Sequence, residues 1–344
     1  MSTSVGSDTS EETDAEGTGA EARDRGRDAE APREIPARGW WDVVRRVQLE
    51  AKQDQVPLLS AGVAFYSLLA LIPGLIAAIS IYGLVGDPSQ VGRQVQDLAG
   101  GLPSSARNLL EDQLHRVLST NRAGLSVGVL VGIVVALWSA SSGVAHLVQA
   151  LNAAYDEDES RGAIKLRASS LVMTLAAIVF VGVTVGLITI LPNVLDSAGL
   201  GDAARTTLEL LRWPLLAVLF LLALAALYRW APDRDEPRWR WATPGAIFAT
   251  VAWIVGSVLF GLYADHLGSF SQTYGALAGV VVLMLWLLLT ATVILLGAEM
   301  NAELERQTAK DSTVDRPRPM GRRGAEAADT VGPVGDELRR SRGR

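Results

Sequence analysis

Ser139, Ser142, His146 and Gln149 recur three and four residues apart, which puts them on one face of a helix. Two hydroxyls, an imidazole and a carboxamide in a row can cradle a polar headgroup or line a watery path. They can equally bond one helix to its neighbours where lipid offers no competing water. Asn152 follows about one turn later, rotated off that row. Asp265 and His266 form a second pair, but adjacent helical residues point about 100° apart, so they read as polar residues at a helix exit. Glu299 stands at the end of a long uncharged run, where it is expected to pair with Arg161 or another arginine.

Most enzyme chemistries find no residues to carry them. The chain lacks cysteine, and its three histidines, 115, 146 and 266, are too far apart for a paired-histidine metal motif. No phosphate-binding loop, dinucleotide fingerprint or nucleophile elbow occurs. The run Asp156-Glu157-Asp158-Glu159 is expected to be a solvated loop rather than a metal-binding cluster. No cofactor and no nucleic-acid partner is implied; basic residues beside a membrane meet anionic lipid instead.

The elements that must position the polar row are membrane spans. Tyr274 to Ala298 contains no charged side chain and, at about 1.5 Å per residue, is roughly 37 Å long, enough to cross a ~30 Å hydrocarbon layer. A soluble helix of that length would need a polar stripe. Five further runs resemble it. The expected spans are 58–85, 125–151, 168–191, 213–230, 242–263 and 274–298. Pro73 predicts a kink in the first, and Pro192 predicts the end of the third. The fold class is therefore all-α: a polytopic six-transmembrane-helix bundle with amphipathic interfacial helices. Residues 39–55 form one such helix, with Trp40, Val43, Val44, Val47 and Ala51 on one face; it either lies flat on the membrane or docks on the bundle. Another is expected within the long connection from Gly86 to Arg122, over Ser104 to Leu118. Gly128/Gly132, Gly182/Gly186 and Gly275/Gly279 have the small-xxx-small spacing of close helix packing.

The two tails differ in kind from the middle. Residues 1–38 are acidic and 308–344 basic, both poor in large apolar side chains, and both are expected to be disordered. Residues 39–307 form the membrane domain. The overall charge of -6 reflects mainly the acidic N-terminal tail. Lys and Arg concentrate on one set of span ends, among them Arg45, Arg46, Arg161, Lys165, Arg167, Arg234, Arg238 and Arg306. That bias places both termini in the cytoplasm, and their lying on one side agrees with an even number of spans.

Several stretches together resemble the YihY/BrkB family of bacterial inner-membrane proteins. They are TYGALAGVVVLMLWLLLTATVILLGAEMNAELE in the last span, LSAGVAFYSLLALIPGL in the first, WSASSGVAHLVQALNAAYDEDESRG in the second, and WATPGAIFATVAW after a Pro-rich loop. The resemblance covers about Gly39 to Gln307. It implies six spans in the bacterial plasma membrane and marks Tyr66, Pro73, Trp138, Asn152, Tyr155, Arg161, Tyr274, Gly275, Trp286, Gly297 and Glu299 as motif positions. Members carry a ribonuclease BN label and, elsewhere, a virulence label. Envelope lipid handling or export is the activity that the resemblance suggests.

Three functions follow as expectations. The first is movement of an amphiphile past the polar row, since no carboxylate lies near a span midpoint to hold a driving ion. The second is a scaffold that binds other membrane proteins, or itself, through the long connection. The third, a membrane nuclease, has no residues in its favour. The partners expected on this reading are membrane lipids.

Overall fold

In a lipid tail region nothing but the helix itself can satisfy a backbone N–H or C=O, so long apolar runs fold as unbroken helices. The computed structural model describes residues 21–85, 127–197, 202–266, 276–314 and 316–335. Its helices are α1 (Ala37–Gln53), α2 (Val56–Val85), α3 (Val127–Ala154), α4 (Ala163–Ser197), α5 (Asp202–Trp230), α6 (Trp239–His266), α7 (Ala276–Glu305) and a single turn, α8 (Glu326–Asp329). Helices α2 to α7 are each long and apolar enough to cross a membrane. No strand is present among the described residues, apart from one isolated bridge between Pro237 and Thr313. The connection 86–126, with its expected amphipathic helix, lies outside the described residues, as do Tyr274 and Gly275.

All six expected spans are helices, but their ends move. Helix α4 continues past Pro192 to Ser197, and α5 begins at Asp202, well before Trp213. Helix α2 is continuous through Pro73. Proline removes one hydrogen bond from a helix; it need not end a helix that packing and lipid hold.

The core lies between α2, α3, α6 and α7, with α4 and α5 the least buried. Small residues set the closest crossing. Ala242, Ala246 and Ala249 on α6 and Ala291, Ala298 and Ala302 on α7 are all buried, at the three- and four-residue spacing of facing stripes. Gly245 N–H donates to Asn301 Oδ1 at 2.7 Å, and Asn301 Nδ2 donates back to Ala242 O at 3.1 Å. Tyr228 on α5 closes the third side, its hydroxyl donating to Ile294 O at 2.8 Å.

Gly132, Gly182 and Gly279, one from each expected glycine pair, do not mark these contacts. A methyl group at Gly132, Gly182 or Gly279 would meet nothing within 4 Å, whereas one at Gly143, Gly245 or Gly297 would strike a neighbouring helix. Spacing along one helix cannot say which of its faces meets another.

Helix α1 docks on the bundle instead of lying free. Val43 and Val47 are buried with Trp241, Met300 and Leu304, but so are Asp42 and Arg46, which the apolar-face argument turns outward. Their charges are what the neighbouring α7 answers.

The tails depart most from the expectation of disorder. Residues 21–36 and 308–335 (315 apart) fold over the same end of the bundle. Thr308 Oγ1 donates to Ala29 O at 2.6 Å, and Ala309 N–H donates to Arg27 O at 2.7 Å. Arg323 is buried and donates to Ala328 O at 2.6 Å and Ala309 O at 2.8 Å. These segments bury little large apolar surface. Guanidinium-to-carbonyl bonds and small alanines (Ala325, Ala327, Ala328) hold them, which a count of apolar residues does not register.

Candidate functional site

Two polar regions stand out in an otherwise oily bundle. The first is the polar face of α3. Ser139, Ser142 and His146 are half-buried and Gln149 is exposed. Ser142 Oγ donates to Ser139 O at 2.6 Å, within its own helix. His146 stacks on Tyr66 of α2, with ring centroids 3.5 Å apart and planes 16° from parallel. The stacking is possible because α2 and α3 approach closely at Gly143, where an added methyl would lie 2.9 Å from Ala70 Cβ. Among the described residues, none of the four side chains hydrogen-bonds to another helix. The row lies along the contact of α3 with α2, where His146 packs against Tyr66, and only Gln149 is exposed. Along the α3 axis the row lies from roughly 8 Å to roughly 22 Å from Ala154, at about 1.5 Å per residue.

Trp138 extends that face by one turn beyond Ser142. Arg167, in the second turn of α4, places its guanidinium 4.4 Å from the Trp138 ring centroid. Trp138 itself is about half exposed.

The second region is a charged hub at the end of the bundle where both chain ends lie. Beyond the expected end of the last span at Ala298, α7 continues as a helix, and Glu299, Glu303 and Glu305 on it are each about 1% exposed. Arg46 of α1 pairs with Glu303 and also donates to Glu303 O at 2.9 Å and Gln307 Oε1 at 2.8 Å. Arg306 bridges Glu303 and Asp156. Arg234 donates to Glu305 Oε2 at 2.7 Å with both side chains fully buried, and lies 4.9 Å from the Tyr155 ring centroid. Neighbouring charges from four segments thus replace the water that each has lost.

The expected pairing of Glu299 with Arg161 does not form. Arg161 binds Glu159 at 2.7 Å and Asp233 at 3.5 Å, and Glu299 lies beside Asp54. The reason is the loop geometry after α3. Asp156 takes a positive φ of 55°, and Glu157 N–H bonds back to Asn152 O at 2.9 Å, so the chain turns sharply and carries Arg161 away from α7. Burial pushes the Asp54 carboxyl above its ordinary range. Glu299 Oε1 and Asp54 Oδ2 have no hydrogen-bond partner.

The acidic loop is not simply solvated. Asp156 holds Arg306, Glu159 holds Arg161 and accepts from Asn152 Nδ2 at 2.8 Å, and Glu157 accepts the Glu326 N–H at 2.8 Å. Burial pushes Glu157 up to about 7 from an ordinary 4.5. The folded state therefore keeps a proton that the unfolded chain gives up. The stability this contributes is full below about 4.5 and is lost as pH rises through about 7. Limited proteolysis should free the segment carrying α8 faster at about pH 8 than at about pH 5, and Glu157→Gln should remove most of that difference. Equal rates for the unsubstituted protein at both pH values would contradict the assignment.

Other motif positions serve packing. Trp286 meets Trp253 edge-on at 5.8 Å, and Trp253 Nε1 donates to Thr290 Oγ1 at 3.1 Å. Asn152 Oδ1 accepts the Asp233 N–H at 2.9 Å, which ties α3 to the loop after α5. Asp265 and His266 are the last residues of α6. Sequence reasoning missed Arg46, Asp54, Arg234, Glu303 and Arg306 as members of the hub. The available signal was Glu299 and Glu303, four apart on one face of α7, with Asn301 and Glu305 four apart on the opposite face.

Among the described residues no three His, Cys, Asp or Glu side chains are grouped so as to hold a metal ion. The family described as Virulence factor BrkB matches residues 47–320. A Bacillus subtilis (strain 168) protein named "Putative ribonuclease-like protein YfkH" is 34% identical over 253 residues, 72% of this chain and 90% of its own. A UPF0761 membrane protein of Tolumonas auensis is 29% identical over 269 residues, covering 73% and 81% of the two chains. One from Psychromonas ingrahamii is 24% identical over 262 residues, covering 74% and 85%. No solved structure matches.

Proposed function

The chain belongs to the virulence factor BrkB family of membrane proteins, and from that premise we propose that it moves or reorients an amphiphilic component of the bacterial envelope. It does so in the plasma membrane, with both termini in the cytoplasm. The basic residues Arg46, Arg161, Arg234 and Arg306 gathered at one end of the bundle support that orientation. One observation carries the reading: the row Ser139, Ser142, His146 and Gln149 beside α2, whose side chains hydrogen-bond to no neighbouring helix among the described residues. A polar strip without such bonds in an apolar bundle is costly unless something polar travels along it. An amphiphile can keep its tails in hydrocarbon while its head follows the strip, and no ion-holding group at the midpoint is needed.

The test is the double substitution Ser142→Leu with His146→Phe in proteoliposomes, following a fluorescent lipid across the bilayer. Movement should slow about tenfold, equivalent to losing about 1.4 kcal/mol along the path, with insertion and yield unchanged. Unaltered movement removes this face from the mechanism. The reading makes the chain a carrier rather than an enzyme, and RNA cleavage by the purified protein with divalent metal added would count against it.

A further inference from the structure

The stacked Arg167–Trp138 pair beside the α3 row says which amphiphile the row is built to receive. We infer that it is an anionic lipid, whose headgroup phosphate docks on Arg167 at the α3–α4 edge; the inference rests on the reading above. Arg167 lies within the candidate span Ala163–Ile188, where a lone cation is costly and ordinarily finds an oxygen. Arg212, in the next span, donates to Ile188 O at 3.2 Å, and Arg229 donates to Glu236 at 2.7 Å. Arg167 makes no such bond. Among the described residues it has neither a carboxylate nor a carbonyl acceptor, and its one partner is the face of Trp138.

Stacking uses the flat side of a guanidinium and leaves its rim of five N–H donors in the plane. That rim matches two oxygens of a phosphate, which Arg binds bidentately. The surroundings suit a lipid rather than a soluble phosphate. Ile164, three residues before Arg167 on α4, is 87% exposed, and Val134 and Val135 on α3 are also exposed. Acyl chains have apolar surface on both sides of the cation. Helical spacing then carries a headgroup from Trp138 to Ser142, 40° away around α3, and on to His146. No acidic side chain of the described residues pairs with Arg167, so nothing there competes with an anion.

The experiment is native mass spectrometry of the full chain in detergent, titrated with phosphatidylglycerol, phosphatidylcholine or inorganic phosphate. The unsubstituted protein should prefer phosphatidylglycerol, and inorganic phosphate should not displace it. Arg167→Gln should weaken phosphatidylglycerol binding about tenfold, the loss of a charge-assisted contact, and leave phosphatidylcholine binding unchanged. Arg167→Lys keeps the charge without the fork, and should recover part of the loss; it also answers the objection that Arg167→Gln misfolds. Equal binding by the unsubstituted and Arg167→Gln proteins, or displacement by inorganic phosphate, overturns the inference. Because binding is read at equilibrium, its failure is separate from failure of movement in the Ser142/His146 variant.

Discussion

Gly245→Ala is expected to cost about 1 to 3 kcal/mol, the usual penalty for overfilling a packed contact, and Gly245→Leu to prevent folding altogether. An alanine methyl there would overlap the Gly297 carbonyl oxygen of α7 and lie 2.6 Å from Asn301 Cγ and Oδ1. Backbone cannot swing aside as a side-chain tip can, so α6 and α7 must separate. Separation would also break the paired bonds between Gly245, Asn301 and Ala242. Gly297 makes the reciprocal contact, since a methyl on it would displace the Tyr228 hydroxyl from Ile294 O. Thermal unfolding of the detergent-solubilised protein should show Gly245→Ala well below the unsubstituted protein. Gly279→Ala, whose methyl meets nothing within 4 Å, should be neutral or slightly stabilising, because alanine is the better helix former. If the two variants melt together, the close crossing of α6 and α7 is not where the structure places it.

Removing Arg234 should be more damaging still, for an electrostatic reason. Its guanidinium and the Glu305 carboxylate are both fully buried, and Ser312 Oγ donates to the same carboxylate. Arg234→Ala leaves Glu305 charged and without its partner in a dry site, an expected cost of about 3 to 5 kcal/mol. Replacing both, as Arg234→Met with Glu305→Met, should recover most of that loss, since burying two charges gains little over burying two apolar groups of similar size. A double-mutant cycle on unfolding midpoints measures the coupling. Additive effects would mean that the two charges do not meet. The substitution also frees the Tyr155 ring, which Arg234 covers, so the loop after α3 should become more open to protease.

Much of this architecture was legible in advance because lipid imposes one rule at a time. Leu, Val and Ala runs of sufficient length can only be helices there, and the resemblance of the last span to the BrkB family agrees with the match over residues 47–320. The α3 row was legible too, since Ser139, Ser142, His146 and Gln149 need only the helical period to share a face. Its surroundings were not. Nothing in the spacing says that His146 would stack on Tyr66, or that Arg167 would reach Trp138 from another helix. Helix ends were the weakest point: Pro192 reads as a stop, yet α4 continues through it to Ser197. The helix survives because a proline removes one hydrogen bond and leaves the others in place.

The number of spans, their order and the gathering of basic residues at one set of ends were properties of the chain alone. Each helix satisfies its own backbone in lipid and needs no partner to exist. Which glycines are contacts, which glutamates are buried and whether the tails fold were decided only by the assembled molecule. Arg46 meets Glu303 across 257 residues, and Thr308 meets Ala29 across 279. A buried charge is tolerable only where its opposite happens to arrive, and that arrival is a fact about how helices cross rather than about the order of residues along any one of them.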